Sequence, residues 1–346
     1  MTHEIIRPNE RCIKEGTLLT LGAVSLAATA AFATDYSVHR HTYKDKSDKA
    51  RVLTTQRPGE YSVLVFPGYH ADGEILAKNF DKHLEHLGTT HFVVHPERGM
   101  NLDSYKDEIL KARKMDGHRP LLIYALSMGA LLDAKIASDE GVRHEMGEIH
   151  RKVLDSPLSG KGDLDIVSRL GILAGSLLPA TFSTDRVYHL VNQLGLGDES
   201  LDFDPELVTR EEAEERLWST RRVRYAAAKG QIPFMHRENM AKMDLSQAGA
   251  ELDEGIIVLS SLEDHLINTR RSAGVISDSY DIPVEFRYDL TRKETSHATG
   301  PENPRGVVDA LEGKNRDKYM ALDIRNTIRK YQENKKRRAI WQKKPA

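Results

Sequence analysis

At 346 residues the chain is long enough for one large domain with an insertion, or for two domains. Its 50 basic and 52 acidic side chains nearly cancel, to a formal charge of -2, which argues against a general nucleic-acid partner. The single cysteine, Cys12, excludes an intramolecular disulfide, and the fifteen histidines are scattered without metal-ligand spacing, so no metal is expected.

The first distinctive segment is residues 17–34, TLLTLGAVSLAATAAFAT, which carries no charge. As a helix it would be about 27 Å long, just under a hydrocarbon core of about 30 Å. Three readings follow: a single-pass membrane anchor, a packed Ala-rich helix, or an export signal cleaved after Ala33 in Ala31-Phe32-Ala33. The anchor fits best on length and absence of charge. Basic residues flank the run on both sides, so the side of the membrane stays open. Residues 35–60 are polar and charged and read as a linker.

From residue 61 the chain alternates strands and helices. An apolar run at 61–66 stops at Pro67-Gly68, and Ile75, Leu76, Phe80, Leu84 and Leu87 then follow a helical period. A second strand at 91–95 closes on Pro96-Glu97-Arg98-Gly99, and Tyr105, Ile109 and Leu110 mark the next helix. Further strands are expected at 121–125, 152–157, 256–260 and 284–288. Strands separated by helices imply a doubly wound, mostly parallel α/β sheet.

The alternation stops between 160 and 250, where helical patterns run over 164–178, 186–194 and 205–229. That is the pattern of a helical cap inserted into one α/β core, which would comprise residues 61–159 and 251–312. Residues 313–346 read as a final helix at 316–335 and a basic tail. Six Lys and Arg surround Trp341 there, so the tail could rest on an anionic membrane surface or simply be solvated.

The organising stretch is 121–137, LLIYALSMGALLDAKIA. A strand, then Ala125-Leu126-Ser127-Met128-Gly129, then a helix with Leu131, Leu132 and Ile136 on one side, makes a nucleophile elbow around Ser127. The elbow needs small flanking residues because strand and helix backbones meet closely, and alanine meets that need at the first position. The helix starting behind Ser127 aims N–H groups at any oxyanion formed there, Met128 first among them.

A serine nucleophile needs a base, and the base needs an orienting group. Such groups sit at the carboxyl ends of the strands. Asp264, beyond the strand at 256–260, is preferred as the acid, and Asp155, ending the strand before the insertion, is the alternative. His297, in the turn-rich Ser296-His297-Ala298-Thr299-Gly300-Pro301 after the last strand, is the base, with His265 as its rival. The second oxyanion donor is expected in Pro67-Gly68-Tyr69-His70, at the Tyr69 N–H.

Taken together, Phe66-Pro67-Gly68-Tyr69, Arg98-Gly99, Ala125-Leu126-Ser127-Met128-Gly129, Asp264 and His297 give a chain that resembles the α/β-hydrolase family over about 60–159 and 251–312. Pro67 stands where the family often has His, Ala125 where it usually has Gly, and Ser296 where it often has Gly. The resemblance implies cofactor-free cleavage of an ester, thioester or amide by an esterase- or lipase-like enzyme. Acyl transfer, or a non-catalytic membrane-tethered interaction module on the same fold, are the alternatives. The expected partners are a small acyl substrate and a membrane, with no nucleic acid.

Overall fold

Eight strands form one sheet in the order β1-β3-β2-β4-β5-β6-β7-β8, parallel throughout except at its two edge pairs, β1·β3 and β7·β8. The structure, a computed structural model, describes residues 49–69, 71–96, 100–164, 202–222, 225–261, 264, 266–289, 292, 296–314 and 320–323. In chain order the elements are β1 (Arg51–Thr55), β2 (Tyr61–Phe66), α1 (Gly73–Leu84), β3 (Gly88–Val94), α2 (Leu102–Met115), β4 (Leu121–Leu126), α3 (Met128–Ala137), α4 (Glu140–Met146) and β5 (Ile149–Asp155). There follow α5 (Arg210–Arg222), α6 (Tyr225–Arg237), a 3-10 turn (Met240–Lys242), α7 (Ser246–Ala250), β6 (Ile256–Ser260), α8 (Thr269–Tyr280), β7 (Val284–Tyr288), α9 (Pro304–Leu311) and β8 (Met320–Asp323).

Both faces of the sheet are covered, which is why its strands are nearly continuous apolar runs. In β4 the two sides still separate by the two-residue period. Leu121, Ile123 and Ala125 join Tyr105, Ile109, Leu131 and Ile276 on the face of α2, α3 and α8. Leu122, Tyr124 and Leu126 join Leu76, Phe80, Leu84 and Val307 on the face of α1 and α9. The chain leaves β2 toward one face and β4 toward the other, although the two strands are neighbours. The crevice at such a switch point is where this architecture binds ligands, and residues 67–69 and Ser127 border it.

Three boundaries differ from the sequence expectation. Residues 51–55, placed in the linker, are the antiparallel edge strand β1, with Val52 and Leu53 packed on opposite faces. Five residues among many charges carry too short a pattern to stand out. Residues 320–323 of the expected final helix are instead β8, paired antiparallel to β7. Met, Ala and Leu favour a helix locally, but the open edge of β7 offers backbone partners that outweigh so weak a preference. Finally, Ile232, Phe234, Met235, Met240, Leu245 and Ala248, assigned to the cap, lie in the main core beside Leu131 and Leu154.

The apolar run at 17–34, the helices expected at 164–178 (beyond Leu164) and 186–194, and the basic tail lie outside the described residues. Among the described residues no helix is long and apolar enough to cross a membrane.

Candidate active site

Ser127 occupies the turn between β4 and α3 with φ 45° and ψ -113°, in the left-handed region that a serine rarely adopts. Three backbone bonds hold it there: its N–H donates to the Asp155 carbonyl at 2.9 Å, and its carbonyl accepts from the Ala130 and Leu158 N–H groups, each at 3.1 Å. Gly129 makes the turn possible. A Cβ at that position would stand 2.5 Å from the Phe66 carbonyl oxygen and 2.8 Å from that of Pro67, so α3 packs backbone to backbone on the end of β2. Alanine at 125 is accepted because its Cβ points into the core.

The use of Ser127 as a helix start differs from that of the polar residues that begin α1, α2, α4 and α8. Asp72, Asn101, Asp139 and Asn268 each cap their helix through a side-chain oxygen. Ser127 makes no such cap bond. Its Oγ instead lies 3.0 Å from His297 Nε2. On the far side of the ring, His297 Nδ1 lies 2.8 and 3.0 Å from the two oxygens of Asp264.

Asp264 is buried, with its side chain 1 % exposed. Burial alone would raise its carboxyl pKa. The facing His297, hydrogen bonds from His297 and Ser156, and the Leu266 N–H at 2.9 Å outweigh that, so the pKa lies below the usual carboxylate value. The site is also where backbone strain collects. Of five non-glycine residues with positive φ among the described residues, Ser127, Ser156 and Ala298 all belong here. The last two are joined, the Ala298 N–H donating to Ser156 Oγ at 3.3 Å.

Asp155, the alternative acid, is directed elsewhere. It accepts from Arg292 Nη1 at 2.6 Å, Arg292 Nη2 at 3.1 Å, the Tyr124 hydroxyl at 2.8 Å and the Gly300 N–H at 3.0 Å. The guanidinium is shared with Asp289, at 2.9 Å. This buried network lies behind the turn that carries His297 and ties it to β4 and β5. Arg216 of α5 reaches the same turn, donating to the Ala298 carbonyl at 2.8 Å and pairing with Glu302. Helix α5 is fixed in turn on α1 by Lys78 with Glu215 and Lys82 with Glu212.

Met128 is the first residue of α3, so its N–H is one of the donors that a helix leaves without an internal acceptor. Gly68 stands against Ser127, since a Cβ there would lie 3.4 Å from Ser127 Cβ. Tyr69 follows it, half-buried against the core. His70, Arg98, Gly99 and His265 lie outside the described residues. Ser127, His297 and Asp264 are thus brought together, Met128 adjoins Ser127 on the chain, Tyr69 adjoins the Gly68 that stands against Ser127, and Asp155 is held apart by its own partners.

Sequence reasoning missed Arg292, Arg216 and His95. Each is one charged or polar residue without a motif, and only the fold shows what it faces. Among the described residues one group of ligand-type side chains is close enough to share a cation: His150, Asp253 and Glu254. It lies near the start of β5, at the other end of the strand from Asp155. His150 there already pairs with Asp253 at 2.7 Å, and Arg151 with Glu254.

No family model and no curated protein sequence matches the chain. Solved structures do. An esterase from a Rhodococcus species superposes with a TM-score of 0.54 at 12% identity, covering 78% of this chain and 95% of its own. A thermophilic esterase from Thermogutta terrifontis gives 0.51 at 12% identity, with 76% and 92% covered. A hydrolase from Pseudomonas aeruginosa gives 0.51 at 13% identity, with 76% and 93% covered. The chain has the α/β-hydrolase fold.

Proposed function

We propose that the protein is a serine hydrolase that cleaves an ester, thioester or amide bond through an acyl-enzyme, with carboxylic esters the favoured class. The single observation that carries this reading is His297, whose two ring nitrogens lie 3.0 Å from Ser127 Oγ and 2.8 Å from Asp264. His297 Nε2 takes the Ser127 proton as Oγ bonds to the acyl carbon, and the Asp264 carboxylate stabilises the imidazolium that forms. The Met128 and Tyr69 N–H groups receive the oxyanion. His297 then gives its proton to the leaving group, and a water activated by the same ring releases the acid. The solved structures that this chain resembles include esterases and a hydrolase, which supports the reaction class and leaves the acyl chain open.

A fluorophosphonate probe with a panel of 4-nitrophenyl esters of graded chain length tests the reading. Labelling at Ser127 with ester turnover is the expected result. Labelling without hydrolysis, but with consumption of ester once an alcohol or amine is added, would mark acyl transfer. Absence of labelling would mark a non-catalytic module.

The apolar run at 17–34 is proposed as a membrane anchor, and residues 335–344 as a secondary contact with anionic lipid. Full-length protein should then resist carbonate extraction from membranes, and a chain starting near residue 36 should not. A mature N-terminus at Thr34 would instead mark a cleaved export signal.

A further inference from the structure

His95 directly follows β3, with β2 standing between that strand and the β4 that leads to Ser127, and it is half-buried against the loop that follows β2. Its Nε2 lies 3.2 Å from both the Pro67 and the Gly68 carbonyl oxygens. Both are acceptors, so Nε2 carries the hydrogen and donates. Nδ1 is then free to accept, and the Tyr105 hydroxyl stands 2.7 Å from it. That hydroxyl is also 3.2 Å from Met100 Sδ, but it has one proton, and an imidazole nitrogen is a far better acceptor than a thioether. Burial pushes the imidazole down to a pKa of about 4, which keeps it neutral and in this tautomer near pH 7. Tyr105 is itself fully buried on α2.

A trans peptide points its N–H opposite to its C=O. The Gly68 carbonyl and the Tyr69 N–H belong to one such peptide. The carbonyl is held by His95 on one side and by the Ala71 N–H at 3.2 Å on another, so the peptide plane has little freedom to turn. Tyr69 N–H must therefore point away from His95, while Gly68 lies in contact with Ser127. We propose that His95 is the positioning residue of the oxyanion hole, fixing the Gly68–Tyr69 peptide so that the Tyr69 N–H faces the developing oxyanion at Ser127, with Tyr105 setting the His95 tautomer. The inference rests on the serine-hydrolase reading. A donor of this kind contributes only if it is already oriented before charge develops, and a misplacement of about 1 Å costs on the order of 100-fold in rate.

The experiment uses the full chain, a fluorophosphonate probe and 4-nitrophenyl acetate. His95→Phe keeps a ring and removes the donor. It should slow labelling of Ser127 about 100-fold and lower kcat by a similar factor, with KM within about twofold of wild type, because the oxyanion contact is made in the transition state. His95→Gln, which restores an N–H, should recover to within about tenfold of wild type. His95→Phe labelled within threefold of wild type would overturn the proposal. So would His95→Gln as slow as His95→Phe, since packing and not the hydrogen bond would then be at issue. Should His95→Phe not fold, Tyr105→Phe carries the test. It leaves the packing in place, should label about tenfold more slowly at unchanged melting temperature, and overturns the proposal if it labels at the wild-type rate. Wild-type protein that is never labelled would remove the hydrolase reading and this inference with it, whereas a labelled wild type with unaffected His95 variants removes this inference alone.

Discussion

Asp155 and Gly300, 145 residues apart in the chain, are joined by a 3.0 Å hydrogen bond from the Gly300 N–H to Asp155 Oδ2. The bond pins the turn that follows His297 to the carboxyl end of β5. It also leaves no space at residue 300, where a Cβ would lie 2.0 Å from the Tyr124 hydroxyl oxygen and 2.5 Å from Asp155 Oδ2. Gly300→Ala must push these buried groups apart or move the turn. The expected loss is about 1–3 kcal/mol in urea unfolding, the usual range for overpacking, together with a fall in turnover as His297 shifts. Unchanged stability would mean that the turn yields freely.

The two acids should separate by the kind of damage that their amides cause. Asp264→Asn leaves the fold in place and should lower kcat by about 10³–10⁴-fold, since the His297 ring loses the carboxylate that orients it and stabilises its charge. Asp155→Asn instead leaves the fully buried Arg292 guanidinium with only Asp289. Breaking a buried pair costs about 3–5 kcal/mol, so this variant should unfold early, while each active molecule, counted by titration with the probe, turns over within tenfold of wild type. The opposite ranking in kcat per active molecule would make Asp155 the orienting acid.

Much of this was legible in the sequence because it is local. The apolar runs of β2, β4, β6 and β7, and the small-residue elbow around Ser127, depend on neighbours a few positions away. So does the turn-rich setting of His297. What was not legible depends on distance. That Asp264 and not Asp155 meets His297 is decided by how the two loops lie over the sheet. The role of His95 appears only when β3 lies beside the loop after β2, since a lone histidine at the end of a strand carries no pattern. Strands β1 and β8 are short edge strands whose pairing, not composition, makes them strands. The same is true of residues 232–248, which look like cap helices until the core that they complete is in view.

Stability should fall in acid in two steps. In the fold His95 has a pKa of about 4, against 6.5 for an ordinary histidine, so the unfolded chain takes up a proton first as the pH drops. Its contribution is present above pH about 6.5 and is lost as pH falls toward about 4, by up to ~3 kcal/mol. His83, held down by burial and the neighbouring Lys82, adds in the same direction. The Asp264 carboxyl is depressed in the fold, so its contribution holds above the ordinary carboxylate value and disappears below it, at more acid pH. Denaturant midpoints measured from pH 7 to pH 4 should show the first step in wild type, reduced in His95→Gln. An identical slope in both proteins would show that His95 is charged in the fold.

Whether Ser127 is an activated nucleophile is read by intact-mass analysis after reaction with a fluorophosphonate probe, followed by peptide mapping. The geometry of Ser127, His297 and Asp264 predicts a single adduct on Ser127 in the wild type. It predicts no adduct in Ser127→Ala, and labelling slowed by at least 100-fold in His297→Ala. A wild type that remains unmodified, or an adduct that persists in a folded Ser127→Ala variant, would contradict it.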